Sequence, residues 1–150
     1  MTVSICLTTC IEVRLNWSTF NLLFLALKSD TTLSFNPVIL SDLFLLGQHP
    51  ERLSWQPFRP GVEIHRLYGD AQQGPSAALL KYEPGAKVPA HSHTGYEHII
   101  VLSGSQRDYQ GNHTAGTLVI NPPDSSHDVA SDEGCIVLII WEKPVVLKKV

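Results

Sequence analysis

The sequence predicts an all-β fold, a single barrel or sandwich, on three observations. From residue 60 onward, short apolar stretches recur at close spacing with turn signals between them. Several alternate apolar and polar residues, as a half-buried strand does. The chain has 150 residues, 43% of them hydrophobic and 17% charged, which is material for one globular domain.

The elements follow in order. Val62–Tyr68 (VEIHRLY) alternates and reads as a half-buried strand. Ser76–Tyr82 (SAALLKY) is the next, ended by the turn dipeptide Pro84-Gly85. Lys87–His93 (KVPAHSH) and Glu97–Ser103 (EHIIVLS) are two more, with Gly104-Ser105 expected to break the second. Gln106–Ala115 reads as a hairpin turning near Gly111. Thr117–Ile120 is a strand, Pro122–Ser125 a turn and His127–Ala130 a strand. Asp132-Glu133-Gly134 turns into Ile136–Trp141, which is apolar on both faces.

The chain changes character near residue 50. Residues 1–52 form an N-terminal extension to which no period assigns a structure, and residues 53–145 form the folded domain. The first forty-odd residues are expected to stand outside the core, as a disordered arm or a start-site artefact. The apolar run Phe20–Leu27 is too short to span a membrane. It also makes a poor signal peptide: the only cation before it is Arg14, which follows Glu12, and no small-x-small cleavage site comes after it. Cys6 and Cys10 have no matching pair, and Cys135 sits alone, so reduced thiols in a cytoplasmic protein are expected. A net charge of −3 with scattered Lys and Arg gives no footprint for nucleic acid, and Lys148-Lys149 reads as a solvated terminus.

The chemistry concentrates in His91, His93, Glu97 and His127. Three neutral imidazoles and a carboxylate suit a divalent transition metal, with zinc expected first and iron, manganese or nickel as alternatives. His91 and His93 are two apart, so on a strand both point to one face. If that face is the interior, Glu97 shares it with Ile99 and Val101, while His98, Ile100 and Leu102 take the other. Such a ligand set leaves about +1 on a dipositive ion, which stays Lewis-acidic at any open position. A lone His-x-His pairs by chance in strands, and it is Glu97 and His127 that tip the balance to a metal. Tyr96, Arg107, Asp124 and Asp128 flank these residues without parity or spacing that marks an acid or base. No catalytic residue is therefore assigned. His49 and His113 fall in expected loops, and His65 and His98 alternate with apolar neighbours, so these four read as surface or polar-face residues.

The segments Gly85-AKVPA-His91-Ser-His93-TGY-Glu97-HIIVLS-Gly104 and Gly116-TLVIN-Pro122-Pro-Asp124-SS-His127-DVA-Ser131 resemble the two motifs of the cupin superfamily. The first matches G-x5-H-x-H-x3-4-E-x6-G at every fixed position. The second matches G-x5-P-x-G-x2-H-x3-N at Gly116, Pro122 and His127, with Asp124 in place of the turn glycine and Ser131 in place of the asparagine. Asp tolerates turn conformations, and neither departure touches a ligand. The resemblance implies a small jelly-roll β-barrel holding a metal through His91, His93, Glu97 and His127.

Motif order, Trp55–Val62 and Glu133–Trp141 narrow the resemblance, over roughly residues 53 to 145, to the cupin domain of ChrR-type anti-sigma factors and their stand-alone relatives. In that family a separate helical domain with a His-x3-Cys-x2-Cys signature grips the sigma factor. Cys6 and Cys10 do not match that signature, so sigma-factor binding is not expected. Two functions fit: a regulatory or sensory module binding a small molecule in the barrel, or a small metal-dependent enzyme of dioxygenase or isomerase type. The apolar outer faces of Ile136–Trp141 and Glu97–Ser103 need a cover. A homodimer or the Leu-rich N-terminal run would supply it.

Overall fold

The computed structural model describes residues 37–148 except Ala71. Cys6, Cys10 and the run Phe20–Leu27 lie outside the described residues. A short helix, α1 (Leu43–Gln48), and a single 3-10 turn at Pro50–Arg52 lead into ten strands. These are β1 (Gln56–Arg59), β2 (Val62–Tyr68), β3 (Ser76–Tyr82), β4 (Ala86–His93), β5 (Glu97–Asp108), β6 (Gly111–Thr114), β7 (Leu118–Asn121), β8 (Ser126–Ser131), β9 (Cys135–Trp141) and β10 (Val145–Leu147). The ladder runs β1-β2-β3-β9-β5-β8-β4-β10, with β6 and β7 also pairing β5. Every pairing is antiparallel, and the sheet curls on itself, so the all-β barrel class expected from the strand pattern holds. Among the described residues no helix is long and apolar enough to cross a membrane.

Position in the sheet explains the two runs that are apolar on both faces. β3 and β9 lie side by side, and β9 pairs β5 on its other edge. Inward, Ile64, Leu80, Ile99, Val101, Val137, Ile139 and their neighbours form the barrel core. Outward, Leu79, Leu102 and Ile136 form a second cluster, against which Leu40, Leu43, Leu53 and Trp55 pack. The Trp55 indole N–H donates to the Pro50 carbonyl at 2.7 Å, which ties the 3-10 turn to this cover. Part of the outer face is therefore dry because residues 40–55 lie on it. Helix α1 left no trace in the pattern because six residues are fewer than two helical turns. Each alternate residue burial fits the expected parity: Glu97, Ile99 and Val101 are interior, and Ile100 and Leu102 belong to the outer cluster.

Gly104 does not break its strand, as the sequence suggested. β5 continues through it to Asp108, a length of 12 residues. Up to Gly104 the strand pairs β9, and beyond it pairs β6 and β8. A register shift between Val101 and Ser103 marks the corner where β5 passes from one face of the barrel to the other. Gly104 makes that corner at φ 67°, and a Cβ there would stand 2.1 Å from the Gly134 carbonyl oxygen. The short strands β1 and β10 were not anticipated. β1 contains Pro57 and lies at the edge of the ladder, where a missing N–H costs no ladder bond.

Two alanine substitutions separate backbone conformation from close approach. Gly85 has φ 80° and open space around it, so Gly85→Ala is expected to cost about 1 kcal/mol. Gly104→Ala adds a backbone collision and is expected to cost at least about 3 kcal/mol. Urea denaturation of both variants checks this, and equal midpoints would rule the corner constraint out.

Candidate metal centre

The inward aim of the two β4 histidines depends on a bulge. β4 buries Ala86 and Val88, exposes both Pro89 and Ala90, then buries His91 and His93. Its pairing with β8 shifts register between Val88 and His91. With strict alternation from Val88, Ala90 would face inward and both histidines outward. Pro89 has no N–H to contribute to the ladder, which suits it to this irregular position.

Two cross-strand pairings complete the cluster. His127 on β8 lies directly opposite His91. Glu97 opens β5 between Asn121 of β7 and Trp141 of β9, each its register partner. Both neighbours donate to its carboxylate: the Trp141 indole to Oε1 at 2.8 Å and the Asn121 amide to Oε2 at 3.0 Å. The four expected ligands thus come together, none more than 5% exposed, with one ligand atom from each lying within 4.8 Å of all the others.

Their hydrogen-bond partners fix which ring nitrogens face the centre. His91 Nδ1 donates to the Pro89 carbonyl at 2.9 Å. Ser125 Oγ gives its own proton to the Pro122 carbonyl at 2.6 Å, so it accepts from His93 Nδ1 at 2.8 Å. His127 Nδ1 points at Asp108 Oδ2, 3.4 Å away. Each Nδ1 therefore carries the proton, and each Nε2 presents a lone pair to the interior. There His91 Nε2 and His127 Nε2 stand 3.1 Å apart, and His93 Nε2 stands 3.1 Å from Glu97 Oε2. Despite that proximity His93 Nε2 has no hydrogen-bond partner, because neither it nor the carboxylate oxygen carries a proton. Three lone pairs and a carboxylate aimed at one another in a buried space repel unless a cation lies among them. The donor set fits a divalent metal, and these four residues could hold it.

The electrostatics agree in sign. Burial pushes the Glu97 carboxyl up, but His127 and His93 outweigh it and hold the group well below the usual carboxylate range. Burial lowers His91, which stays neutral more readily than a free imidazole. Burial also acts to lower His127, yet its hydrogen bond and attraction to Glu97 and Asp108 raise it overall. Asp108 is pushed up by burial and brought down, net, by the Gln110 N–H, His113 and His127.

Several supporting residues were not visible in the sequence. Asp108, Asn121, Ser125 and Trp141 each hydrogen-bond one of the four converging side chains, as outer partners do where such side chains hold a metal. The exposed turn around Asp108 has a legible Asp-x-x-Gly pattern, in which Asp108 Oδ1 accepts from Gln110 N at 2.8 Å. His113, expected in a surface loop, lies on β6 and meets Asp108 at 3.0 Å. The flanking candidates lie elsewhere: Arg107 pairs with Asp132 at 2.8 Å, Tyr96 is 48% exposed, and Asp124 and Asp128 face solvent. Asp124 takes φ 68°, the left-handed conformation of the glycine it replaces. His49 and His65 contact Glu51 and the Ser54 carbonyl, away from the cluster. A cavity of about 500 Å³, walled mainly by core side chains, opens onto His91, Glu97 and His127.

Comparison with known proteins places this geometry. The model of the ChrR cupin-like domain family matches residues 46–144. The anti-sigma-E factor ChrR of Cereibacter sphaeroides is 30% identical over 112 residues, covering 73% of this chain and 50% of that protein. The chain thus spans about half the length of the curated relative it matches. The crystal structure of Rhodobacter sphaeroides SigE in complex with the anti-sigma ChrR superimposes with a TM-score of 0.58 at 26% identity, over 87% of this chain and 70% of that one. An acetylacetone dioxygenase from Acinetobacter johnsonii reaches a TM-score of 0.60 over 77% of this chain and 79% of that one, at 13% identity, and shares the fold. Two-thirds of the residues, including every strand but the last and all four converging side chains, fall within the family match, and the chain belongs to the ChrR cupin-like domain family.

Proposed function

We propose that this chain is a metal-binding regulatory or sensory module, with His91, His93, Glu97 and His127 as ligands of a divalent transition metal and a small molecule as its signal. The observation that carries the proposal is the convergence of three Nε2 lone pairs and a carboxylate, with their outer hydrogen bonds already made. Zinc is the first choice, because imidazole and carboxylate donors on rigid strands suit it, with iron, manganese and nickel as alternatives. When bound, the metal supplies a Lewis-acidic point to oxygen atoms of a ligand. The strands hold the donors, and the apolar walls limit access of water. A cytoplasmic setting fits the free thiol of Cys135. That thiol is a poor oxidant sensor, since it is 5% exposed and burial pushes it up to about 11. Leu118 and Ile120 on β7, each about half exposed, fit a contact with a second copy of the chain.

A second reading, a small metal-dependent enzyme of dioxygenase or isomerase type, is favoured by the cavity that opens onto three of the four ligands. Against it, among the described residues the lining offers no carboxylate or imidazole beyond the four ligands to move a proton. The binding of SigE is a property of the ChrR complex and is not carried to this chain.

Metal analysis of protein purified without an affinity metal, with its absorption-edge spectrum, tests the proposal. One zinc per chain in a shell without water is expected. Iron, manganese or nickel with water-filled positions would support the enzyme instead, and a metal-free protein with all four side chains intact would end both readings. Ser125→Ala removes the acceptor that orients His93 and is expected to weaken zinc binding about 10–100-fold in a chelator competition. Because His127 holds its proton to a higher pH than an ordinary histidine, zinc must displace that proton. Apparent affinity should therefore fall as pH drops through the histidine range. Titration calorimetry in buffers of different ionisation enthalpy would show proton release, and a pH-independent affinity would contradict it.

A further inference from the structure

We infer that the cavity above the metal centre selects a small organic anion, a monocarboxylate with an apolar body, whose charge is received by Arg59 and the Tyr82 hydroxyl. The inference rests on the metal-bound reading above and names the class of small molecule that reading leaves open. A bulge between Pro57 and Arg59 breaks the alternation of β1, so that Phe58 and Arg59 are both half-buried and both line the cavity. The Arg59 guanidinium lies 5.0 Å from the centre of the Phe58 ring, which steadies it in the lining. Among the described residues no carboxylate pairs with it.

Tyr82 lines the same cavity from β3 and is 6% exposed. Arg59 and Tyr82 stand in one cross-strand row, each paired with Val62 of β2. The Tyr82 hydroxyl can donate to a ligand held in the cavity, and a ligand that accepts from it gains affinity. Among the described residues Glu97 is the only acid in the lining, and its charge is committed to the metal. A metal ion at the four-residue centre and Arg59 in the lining leave the cavity positive. Leu80, Val88, Ile99 and Val129 make its walls apolar, which disfavours a polyanion such as phosphate. A planar carboxylate suits a guanidinium fork plus one hydroxyl, and an apolar body suits the walls.

The test is calorimetry of the full chain, loaded with zinc, against benzoate and its neutral analogue benzyl alcohol. Benzoate should bind at least about tenfold more tightly, the scale of a charge-assisted hydrogen bond. Arg59→Gln should erase that preference to within about twofold while leaving the alcohol's affinity alone, and Arg59→Lys should retain part of it. Tyr82→Phe should weaken benzoate about three- to tenfold. Zinc is counted in every sample. Less than one zinc in the wild-type chain would overturn the metal reading and this inference with it. A full zinc complement with equal binding of the two probes, with neither binding, or with a preference unchanged in Arg59→Gln, would overturn this inference alone.

Discussion

Mutual repulsion at the buried centre is the constraint on which the rest of the structure depends. His91, His93 and His127 each present an Nε2 lone pair, and Glu97 adds a carboxylate, in a space shielded from water. A protein interior of low dielectric makes such an arrangement unfavourable unless each donor is held from behind. That is what Pro89, Ser125, Asp108, Asn121 and Trp141 do. Pro89, Ser125 and Asp108 each engage the outer nitrogen of a histidine and leave its Nε2 free, while Trp141 and Asn121 each hold one oxygen of the Glu97 carboxylate. A set of donors arranged this way is preorganised for a cation and for little else.

Strand register is the means by which a linear sequence meets that constraint. His91 and His127 face each other because β4 and β8 pair there, and Glu97 meets its two donors because β7 and β9 flank it at the same level. A slip of one residue in any of these ladders would reverse the faces involved. The bulge at Pro89 and Ala90 is itself such a slip, built into β4. It switches the phase between Val88 and His91 and supplies, through the Pro89 carbonyl, the acceptor for His91.

Period-two alternation is local, and what it governs was legible in the sequence. The shared face of His91 and His93, the interior position of Glu97 with Ile99 and Val101, and the bounds of β2 all followed from it, while β3 was marked by the turn that ends it. The convergence of His91, His93, Glu97 and His127 was legible because their spacing resembles a known pair of motifs. What depends on pairing between distant segments was not. Asn121 and Trp141 look like ordinary strand residues until β7 and β9 are set beside β5. Asp108 was hidden because Gly104 reads as a stop. Only the carbonyl of Gly134, packed where a Cβ would be, shows that it is a corner. The Pro89–Ala90 bulge was hidden by the same logic, since a proline in a strand signals irregularity without saying how many residues it displaces.

β5 joins the two sides of the molecule, and this bears on how rigid the centre is. Its inner face carries Glu97 at the head of the barrel core, while Ile100 and Leu102 on its outer face pack into the cluster covered by Leu40, Leu43, Leu53 and Trp55. A strand wetted on one side can twist or fray at modest cost, whereas one packed on both sides moves only if both layers repack. The cover laid down by residues 40–55 therefore does more than exclude water from an apolar sheet. It restrains the strand that carries Glu97, the one carboxylate of the cluster, and it does so from outside the barrel, where no side chain touches the centre.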